Sequence, residues 1–324
     1  MAMGTDIGRA VEVLRQGGLV AFPTETVYGL GGDATNLDAV RRIFGVKQRP
    51  RTNPLIVHIA DEDRARRYAQ SWPKNAHRLA QAFWPGPLTI IVPRNEKIVP
   101  EVTAGLTGVG LRCPNHPFSL QLLQQFDGAV AGPSANRWTR LSPTTAAHVA
   151  EDLADNVDYI LDGGPCPVGI ESTVISVEKD KPIIYRPGRV SPHEIEKIIG
   201  SVQIFSGVVE TDEAANSPGL SSQHYAPSAP TWRVEHWQLA RISDWCRQHP
   251  QQPAAVLLLR PQLELTPPHR VIVMGDDPAY YARQLYVVLH EAEKWAADIW
   301  IEMPPDESGW FAVRDRLTRA ARPG

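Results

Sequence analysis

The chain has little cysteine: Cys113, Cys166 and Cys246 are the only ones among 324 residues, and no C-x-x-C spacing occurs. An odd number of widely spaced cysteines excludes a disulfide framework and a cysteine-based zinc site, so we expect reduced thiols in a cytoplasmic protein. No apolar run approaches the length of a membrane-spanning helix, and no signal-peptide pattern opens the chain. We therefore expect a cytoplasmic localisation and no membrane association.

An excess of positive charge is also lacking. Lysine and arginine number 33 against 36 aspartate and glutamate residues, which gives a formal net charge of −3. A protein coated for nucleic acid would be basic overall. Positive charge must be local here, and this favours a small anionic ligand over a long polyanion.

Several motifs of catalytic chemistry are missing. The sequence has no G-x-x-x-x-G-K-[ST], no G-x-G-x-x-G before a helix, no H-E-x-x-H and no G-x-S-x-G. These absences exclude a P-loop, a dinucleotide fingerprint, a zincin-type metal site and a hydrolase nucleophile elbow. No metal-binding residues are expected.

A basic run stands out among the features that are present. Five cations fall within eleven residues with no acid between them: Arg41, Arg42, Lys47, Arg49 and Arg51. The apolar runs 19–22 and 55–59 on either side are predicted to be buried strands, with a hydroxyl- and glycine-rich loop at 23–32. A solvated helix end is the usual explanation of such a cluster. Because Pro50 and Pro54 stiffen the turn, we predict instead a rigid cationic loop that binds an anion.

A second loop, 132–136, carries the sequence GPSAN after a short predicted strand. Its small residues would bring a hydroxyl, an amide side chain and bare backbone N–H groups close to a ligand. Further on, Ser142 is an N-cap or a phosphate contact, two interpretations of equal weight. Such a set suits catalysis by positioning and charge neutralisation, for example attack on a nucleotide phosphate by an already ionised nucleophile.

Predicted helices and strands alternate up to about residue 200, which indicates an α/β domain with a largely buried sheet. Periodicity disappears over 206–230 and returns with strands at 254–259, 271–274 and 299–301 and helices at 280–295 and 306–321. The predicted domains are 1–205 (catalytic), 206–230 (linker) and 231–324 (small α/β). Gly219 between stiff prolines would let 217–227 swing as a flap.

Ordered motifs resemble the YrdC-type threonylcarbamoyl-AMP synthases in their long, two-domain form. They are FPTETVYGL at 22–30, KQR at 47–49, PLIVH at 54–58, WPGPLT at 84–89, GPSAN at 132–136, GIEST at 169–173, RPG at 186–188 and HYAP at 224–227. The resemblance implies a twisted mixed sheet with flanking helices (YrdC-like), joined by a linker to a smaller Rossmann-like α/β domain.

The resemblance also implies a reaction. L-threonine, bicarbonate and ATP would give threonylcarbamoyl-AMP and pyrophosphate, the first step of threonylcarbamoyl-adenosine modification of tRNA. The enzyme would be a nucleotidyltransferase whose magnesium is held mainly by the phosphates. A tRNA threonylcarbamoyl-transferase would be its partner protein, and contact with tRNA is a further expectation.

Site residues follow by matching positions. Those matched to catalysis are Lys47, Arg49, Ser134 and Asn136, and those matched to threonine binding are Thr26, His58, Arg112 and Ser172. ATP binding would use the four catalytic residues together with Asn53, Ser142, Arg186 and Tyr225. Three positions depart from the family pattern: Gly108 replaces a hydroxyl residue, Leu220 a methionine and Trp310 a glycine.

Two alternatives remain open at this point. The basic run is also compatible with a non-catalytic module that binds double-stranded RNA or tRNA, although such a module should spread its cations over several elements and bind with steep salt dependence. A carbamoyltransferase relative shares the fold, but those proteins usually carry extra domains for which this chain has no motif.

Overall fold

The computed structural model describes residues 2–153, 156–205, 207, 217 and 224–324, which fall into two units. The first consists of Met1–Trp138, Ser142–Pro167 and Glu171–Ser222. The second consists of Thr139–Leu141, Val168–Ile170 and Gln223–Gly324. The predicted boundaries at 205 and 230 stay a prediction, and most of the predicted flap lies outside the described residues.

The first unit is built on one large mixed sheet with flanking helices. Its strands are β1 (Ala2–Gly4), β2 (Val20–Phe22), β3 (Gly29–Asp33), β4 (Ile56–His58), β5 (Leu88–Pro93), β6 (Gly108–Arg112), β7 (Val130–Ala131), β8 (Tyr159–Leu161), β9 (Thr173–Ser176), β10 (Ile183–Arg186) and β11 (Gln203–Ile204). Its helices are α1 (Ile7–Arg15), α2 (Leu37–Lys47), α3 (Glu62–Arg66), α4 (Lys74–Phe83), α5 (Pro117–Phe126), α6 (Ala146–Leu153) and α7 (Pro192–Ile199). The strand order is β1-β8-β2-β3-β7-β4-β6-β5-β9-β10-β11.

Helix α2 shows how local sequence leads to the site. Asn36 precedes the helix, and its Oδ1 accepts hydrogen bonds from the backbone N–H groups of residues 38 and 39, as an N-cap should. Val40 and Ile43 are buried in the core of the unit. Gln48 then adopts φ 53, a left-handed conformation that ends the helix directly after Lys47.

Strand β3 corrects the expectation of a loop over 23–32. It pairs antiparallel with β2 and β7, although its sequence is Gly-Leu-Gly-Gly-Asp. A Cβ on Gly31 would lie 2.8 Å from Cε1 of Phe22 and 2.7 Å from Cγ1 of Val130. Glycine is therefore needed for the buried Phe22 ring to pack across the strand.

Strand register places two candidate threonine-binding residues side by side. Strands β4 and β6 are parallel, and His58 pairs with Arg112 at their carboxyl ends. On the other side, β5 runs antiparallel to β6 with Ile90 opposite Leu111. Continuing this ladder by one residue brings Thr89 opposite Arg112. Because successive side chains of a strand alternate, Thr89 points to the opposite face of the sheet from Ile90.

The second unit is a five-stranded sheet whose described pairings are all parallel. Its strands are β12 (Thr231–Val234), β13 (Ala254–Leu258), β14 (Arg270–Val273), β15 (Asp298–Glu302) and β16 (Arg322–Pro323), in the order β14-β13-β15-β12-β16. Its helices are α8 (Ala240–Gln248), α9 (Pro278–Ala292) and α10 (Phe311–Ala320). Strands β12 and β16 and helix α8 were not predicted. The parallel pairing with intervening helices confirms the Rossmann-like expectation.

One departure from the family pattern, Trp310, lies in this unit. Trp310 is 4% exposed and packs edge-on against Tyr281, with ring centroids 5.5 Å apart. The bulky side chain therefore fills core space. Leu220 lies outside the described residues.

Among the helices that the structure describes, none is long and apolar enough to cross a membrane.

Candidate active site

The loop between β2 and β3 is fixed by a threonine turn. Thr24 Oγ1 accepts hydrogen bonds from the backbone N–H groups of Thr26 (3.1 Å) and Val27 (3.2 Å) and donates to the Val27 carbonyl (2.6 Å). The hydroxyls of Thr24 and Thr26 also lie 2.8 Å apart. Both side chains are buried, so the hydroxyl of Thr26 has a defined position.

Arg112, at the end of β6, meets this turn. Its Nη2 donates to Thr26 Oγ1 at 3.0 Å and lies 2.8 Å from Glu25 Oε1, with both side chains of the ion pair about 95% buried. The other carboxylate oxygen of Glu25 accepts from the backbone N–H of Asn115 at 3.0 Å. The Arg112–Glu25 contact is an ion pair by distance and not an aligned hydrogen bond, so Oε1 keeps a lone pair for a further donor. Sequence reasoning missed Glu25, although it stands between the two threonines of the first motif.

His58, the register partner of Arg112, is a neutral imidazole. Burial, and then the nearby Arg112 charge, lower its pKa to about 3. Its ring packs edge-on against Phe22, with centroids 5.3 Å apart. Nδ1 is buried and has no hydrogen-bond partner among the described residues. A buried ring nitrogen without a partner has a cost, which a bound hydroxyl or carboxyl group could offset.

Ser172 precedes β9 and belongs to a second polar group. Its hydroxyl lies 2.8 Å from Thr89 Oγ1 and accepts from Arg186 Nη2 at 3.1 Å. The Nε atom of Arg186 also donates to the Ser172 carbonyl at 3.1 Å. Gly188 permits this approach, because a Cβ there would lie 2.3 Å from the backbone N of Thr173. Thr89, which no prediction named, thus links Ser172 to the strand beside β6.

Lys47 is buried at the end of α2 and not held in a loop, which corrects one expectation. It is 1% exposed, and its Nζ donates to the carbonyls of Ser134 (2.5 Å) and Asn136. Burial, and then the neighbouring Arg49 charge, hold the pKa of the ammonium well below its usual value. The predicted lysine and the predicted Ser-Ala-Asn loop are therefore brought together.

Arg49 is 6% exposed and holds the turn that follows α2. Its Nε donates to the Asn53 carbonyl at 3.1 Å, and its Nη2 donates to Asn53 Oδ1 at 2.8 Å and to the Pro54 carbonyl at 2.9 Å. The guanidinium also lies 4.7 Å from the ring centroid of Trp138. This geometry places Asn53 beside Arg49, and the ATP-binding role assigned to each stays a prediction.

The other three cations of the basic run lie at the surface of the first unit. Arg41 forms an ion pair with Glu101 at 3.6 Å, and Arg42 forms one with Asp158 at 2.9 Å. Arg51 is exposed. The cluster therefore divides into surface cations and two buried ones, and only the buried ones belong to the candidate site.

Ser142 is not at the N-cap position of α6. Thr145 directly precedes that helix and accepts a hydrogen bond from His148 N at 3.2 Å. Ser142 Oγ instead donates to Glu171 Oε1 at 2.5 Å, and both side chains are buried. Glu171, next to Ser172, is a second carboxylate that sequence reasoning did not assign.

Tyr225 belongs to the second unit, so its contact with ATP stays a prediction. It has φ 61, is 1% exposed and contacts Tyr286, with ring centroids 6.1 Å apart. The guanidinium of Arg316, which is fully buried, lies 5.3 Å from the Tyr225 ring centroid.

Within the described ranges, no three or more His, Cys, Asp or Glu side chains are grouped so that they could hold a metal ion.

The fold and the site define a class: a two-unit α/β protein with a buried lysine and arginine at the end of α2 and a buried cluster of hydroxyl, imidazole and guanidinium groups. Residues 12–188 match the Sua5/YciO/YrdC family model, described as telomere recombination. Residues 190–322 match the model of the threonylcarbamoyl-AMP synthase C-terminal domain. The chain belongs to the Sua5/YciO/YrdC family, which confirms the resemblance of the motifs.

Named relatives are similar along most of the chain. The threonylcarbamoyl-AMP synthase of Pyrococcus abyssi is 38% identical over 317 residues, covering 96% of this chain and 93% of that protein. That of Bacillus subtilis is 46% identical over 225 residues, covering 69% of this chain and 65% of that protein. The solved structure of P. abyssi Sua5 complexed with L-threonine has a TM-score of 0.88 at 35% identity, covering 98% of this chain and 96% of that one.

Proposed function

We propose that this protein is a threonylcarbamoyl-AMP synthase and acts as a nucleotidyltransferase. L-threonine and bicarbonate condense with loss of water to form N-carboxy-threonine, and the carbamate oxygen attacks the α-phosphorus of ATP. The P–O bond to the β-phosphate breaks, so threonylcarbamoyl-AMP and pyrophosphate are the products. A tRNA threonylcarbamoyl-transferase would be the partner protein that consumes the adenylate. Contact between this chain and tRNA is a further part of the proposal.

One observation carries the proposal. The buried Arg112 guanidinium contacts the Thr26 hydroxyl at 3.0 Å beside the neutral imidazole of His58. A guanidinium suits an amino-acid carboxylate, and a hydroxyl and a neutral imidazole can each donate to or accept from a substrate hydroxyl. A relative of nearly the same fold was solved with L-threonine bound. Ser172 would complete this pocket.

The nucleotide would use the other buried cations. The triphosphate carries negative charge into a site where burial, and then the neighbouring Arg49 charge, hold the pKa of the Lys47 ammonium below its usual value. Bound phosphate would raise that pKa, which favours the protonated form of Lys47 in the complex. Arg49 supplies a second charge on a turn that its hydrogen bonds to Asn53 make rigid. Asn136, Ser142 and Arg186 are the further proposed ATP contacts.

No general base is needed in this scheme. A carbamate is ionised at neutral pH, so the chain's task is to hold the carbamate oxygen in line with the α-phosphorus and to neutralise the charge of the leaving pyrophosphate. The positive charges of Lys47 and Arg49 neutralise the negative charge of the leaving pyrophosphate. Ser134 contributes through its carbonyl, which holds Lys47 Nζ. Magnesium, carried by the phosphates, adds charge neutralisation when bound.

The RNA-binding alternative gains no support from the basic run. Two of its cations are paired with surface acids, and two are buried. The discriminating experiment is release of pyrophosphate from ATP, measured with and without L-threonine and bicarbonate. Release that requires both substrates supports the synthase; salt-dependent RNA binding without release would support the alternative.

A further inference from the structure

Two short segments from the middle of the chain belong to the second unit. They are Thr139–Leu141 and Val168–Ile170. Each ends directly before residues of the candidate site: Ser142 follows the first segment, and Glu171 and Ser172 follow the second. The positions of these site residues are therefore linked, through the chain, to how the second unit holds the two segments.

Arg140 anchors the first segment by its side chain. Its Nη2 donates to Glu293 Oε2 at 3.0 Å, and the Glu293 side chain is only 10% exposed. The same oxygen accepts from the backbone N–H and the hydroxyl of Ser228, at 2.8 and 3.0 Å. Burial raises the pKa of Glu293, but hydrogen bonds from His290 and Ser228 and the charge of Arg140 outweigh burial and lower that pKa to about 2. The anchor is therefore an ion pair at neutral pH.

The backbone of the same segment is held as well. The Thr139 carbonyl accepts from the N–H of Ala226 at 2.8 Å, and Arg140 forms an isolated parallel bridge with Ala226. Thr139 has φ 68, a left-handed conformation that β-branched residues rarely adopt. Such a conformation persists only where the surrounding structure imposes it. The first segment is therefore fixed by its backbone and by a side chain.

Gly169 anchors the second segment on helix α9. It has φ 84, and a Cβ there would lie 2.5 Å from Cα of Arg283 and 2.6 Å from the carbonyl oxygen of Ala282. Only glycine permits this approach of one backbone to another. Glu293 directly follows the same helix. Since residues 283 and 293 are separated by roughly 15 Å along the helix axis, one rigid helix carries both anchors.

The residues that follow the two segments are bonded to each other in the first unit. Ser142 Oγ donates to Glu171 Oε1 at 2.5 Å, and both side chains are buried. Ser172, the next residue, is fixed in turn by Thr89 and Arg186. A shift of either segment would therefore be passed along the chain to this buried group.

We propose that Arg140 and Gly169 are positioning residues of the reaction, because their anchors in the second unit fix the chain that enters the site at Ser142 and at Ser172. Neither residue is assigned a contact with a substrate. The inference rests on the proposed function, in which Ser142 contacts ATP and Ser172 contacts threonine. It gives the second unit a part in catalysis that acts through the backbone of the chain.

The test is pyrophosphate release by the full chain, with kcat and KM for ATP determined separately. Arg140→Ala should lower kcat/KM for ATP by about 10- to 100-fold, mainly through KM, since this is the range for one hydrogen bond to a charged group such as phosphate. In a Ser142→Ala background the same change should cost roughly twofold or less, because the residue through which Arg140 acts is already lost. A merely structural role would lower the amount of active enzyme and leave the KM for ATP unchanged.

Glu293 provides the partner variants. Glu293→Ala should match Arg140→Ala, the double variant should lose no more, and the exchange Arg140→Glu/Glu293→Arg should restore part of the activity. Glu291→Ala is the matched control, because Glu291 is an exposed carboxylate near the same helix end that pairs with Lys294. It should keep the wild-type constants. Melting temperatures, measured in parallel, identify any variant that has lost its fold.

Gly169→Ala is an independent arm. It should raise the KM for L-threonine, and this effect should vanish in a Ser172→Ala background. An Arg140→Ala protein with wild-type constants, or one whose loss adds in full to that of Ser142→Ala, overturns the role of Arg140 while threonine-dependent release by wild type upholds the proposed function. Wild type without threonine-dependent release overturns the proposed function and this inference with it.

Discussion

Replacing Glu25 by glutamine tests the buried ion pair at the centre of the proposed threonine pocket. Glu25→Gln keeps the shape of the side chain and an oxygen for the N–H of Asn115. It removes the only charge within 4.0 Å of the Arg112 guanidinium that the described residues provide. Removing one partner of a buried ion pair costs about 3–5 kcal/mol because the other charge stays buried without compensation.

The size of the effect can be stated as a melting temperature. For a unit of this size, 1 kcal/mol corresponds to a shift of roughly 2–4 °C. The melting temperature of Glu25→Gln should therefore lie about 6–20 °C below that of wild type. Glu12→Gln, on the exposed face of α1, is the control and should melt with wild type.

L-threonine supplies the missing counter-charge if Arg112 binds its carboxylate. Saturating L-threonine should then raise the melting temperature of Glu25→Gln by more than it raises that of wild type, and threoninol, which lacks the carboxylate, should not. A variant that melts with wild type would refute the energetic argument. An equal threonine shift in both proteins would refute the placement of the carboxylate at Arg112.

Three further predictions concern the other site residues. Lys47→Ala and Arg49→Ala should each slow pyrophosphate release by roughly 10²- to 10³-fold, as for loss of a charge-stabilising group; near-normal release from both would remove them from the mechanism. The pKa of His58 is about 3 in the folded protein and 6.5 in the unfolded chain. Between these pH values the folded protein binds fewer protons than the unfolded chain, so it loses stability as pH falls from 6.5 towards 3. Denaturant titrations should show a shallower acid loss for His58→Gln, and an identical loss would contradict this assignment. A pocket that hydrogen-bonds the threonine hydroxyl through His58, Thr26 or Ser172 should reject 2-aminobutyrate by roughly 10⁴-fold and serine by only about 10- to 200-fold, measured by pyrophosphate release; equal rates for 2-aminobutyrate and threonine would show that shape alone is recognised.

Periodicity predicted most of the first sheet, because buried strands of β-branched residues and capped amphipathic helices leave a local signal. Strand β3 leaves none. Its glycines are determined by Phe22 and Val130 on neighbouring strands, and such cross-strand packing is not visible in a local window. Helix α8 was missed for a related reason: its buried positions Ile242 and Cys246 are too few to define a periodic face.

The candidate site was predictable as a set of residue types but not as an arrangement. Nothing in the basic run separates Arg41, which pairs with a surface glutamate, from Lys47, whose partners lie 87 and 89 residues further along the chain. The carbonyls that hold Lys47 are backbone groups, which every residue has. Only the fold shows that the loop with Ser134 and Asn136 lies against the end of α2.

Glu25 and Glu171 show a similar limit. Each lies inside a motif whose hydroxyl neighbours attracted the assignment, Thr26 and Ser172. Their roles follow from burial: Glu25 neutralises Arg112, and Glu171 accepts from Ser142. A carboxylate in a sequence indicates a solvated surface unless its partner is known.

Pyrophosphate release by the purified wild-type protein tests the central claim most directly. The protein is mixed with ATP and magnesium, and L-threonine and bicarbonate are added separately and together. The proposed function predicts release only when both are present, with threonylcarbamoyl-AMP formed in equal amount. Release from ATP that does not depend on threonine, or none with all substrates present, would contradict it.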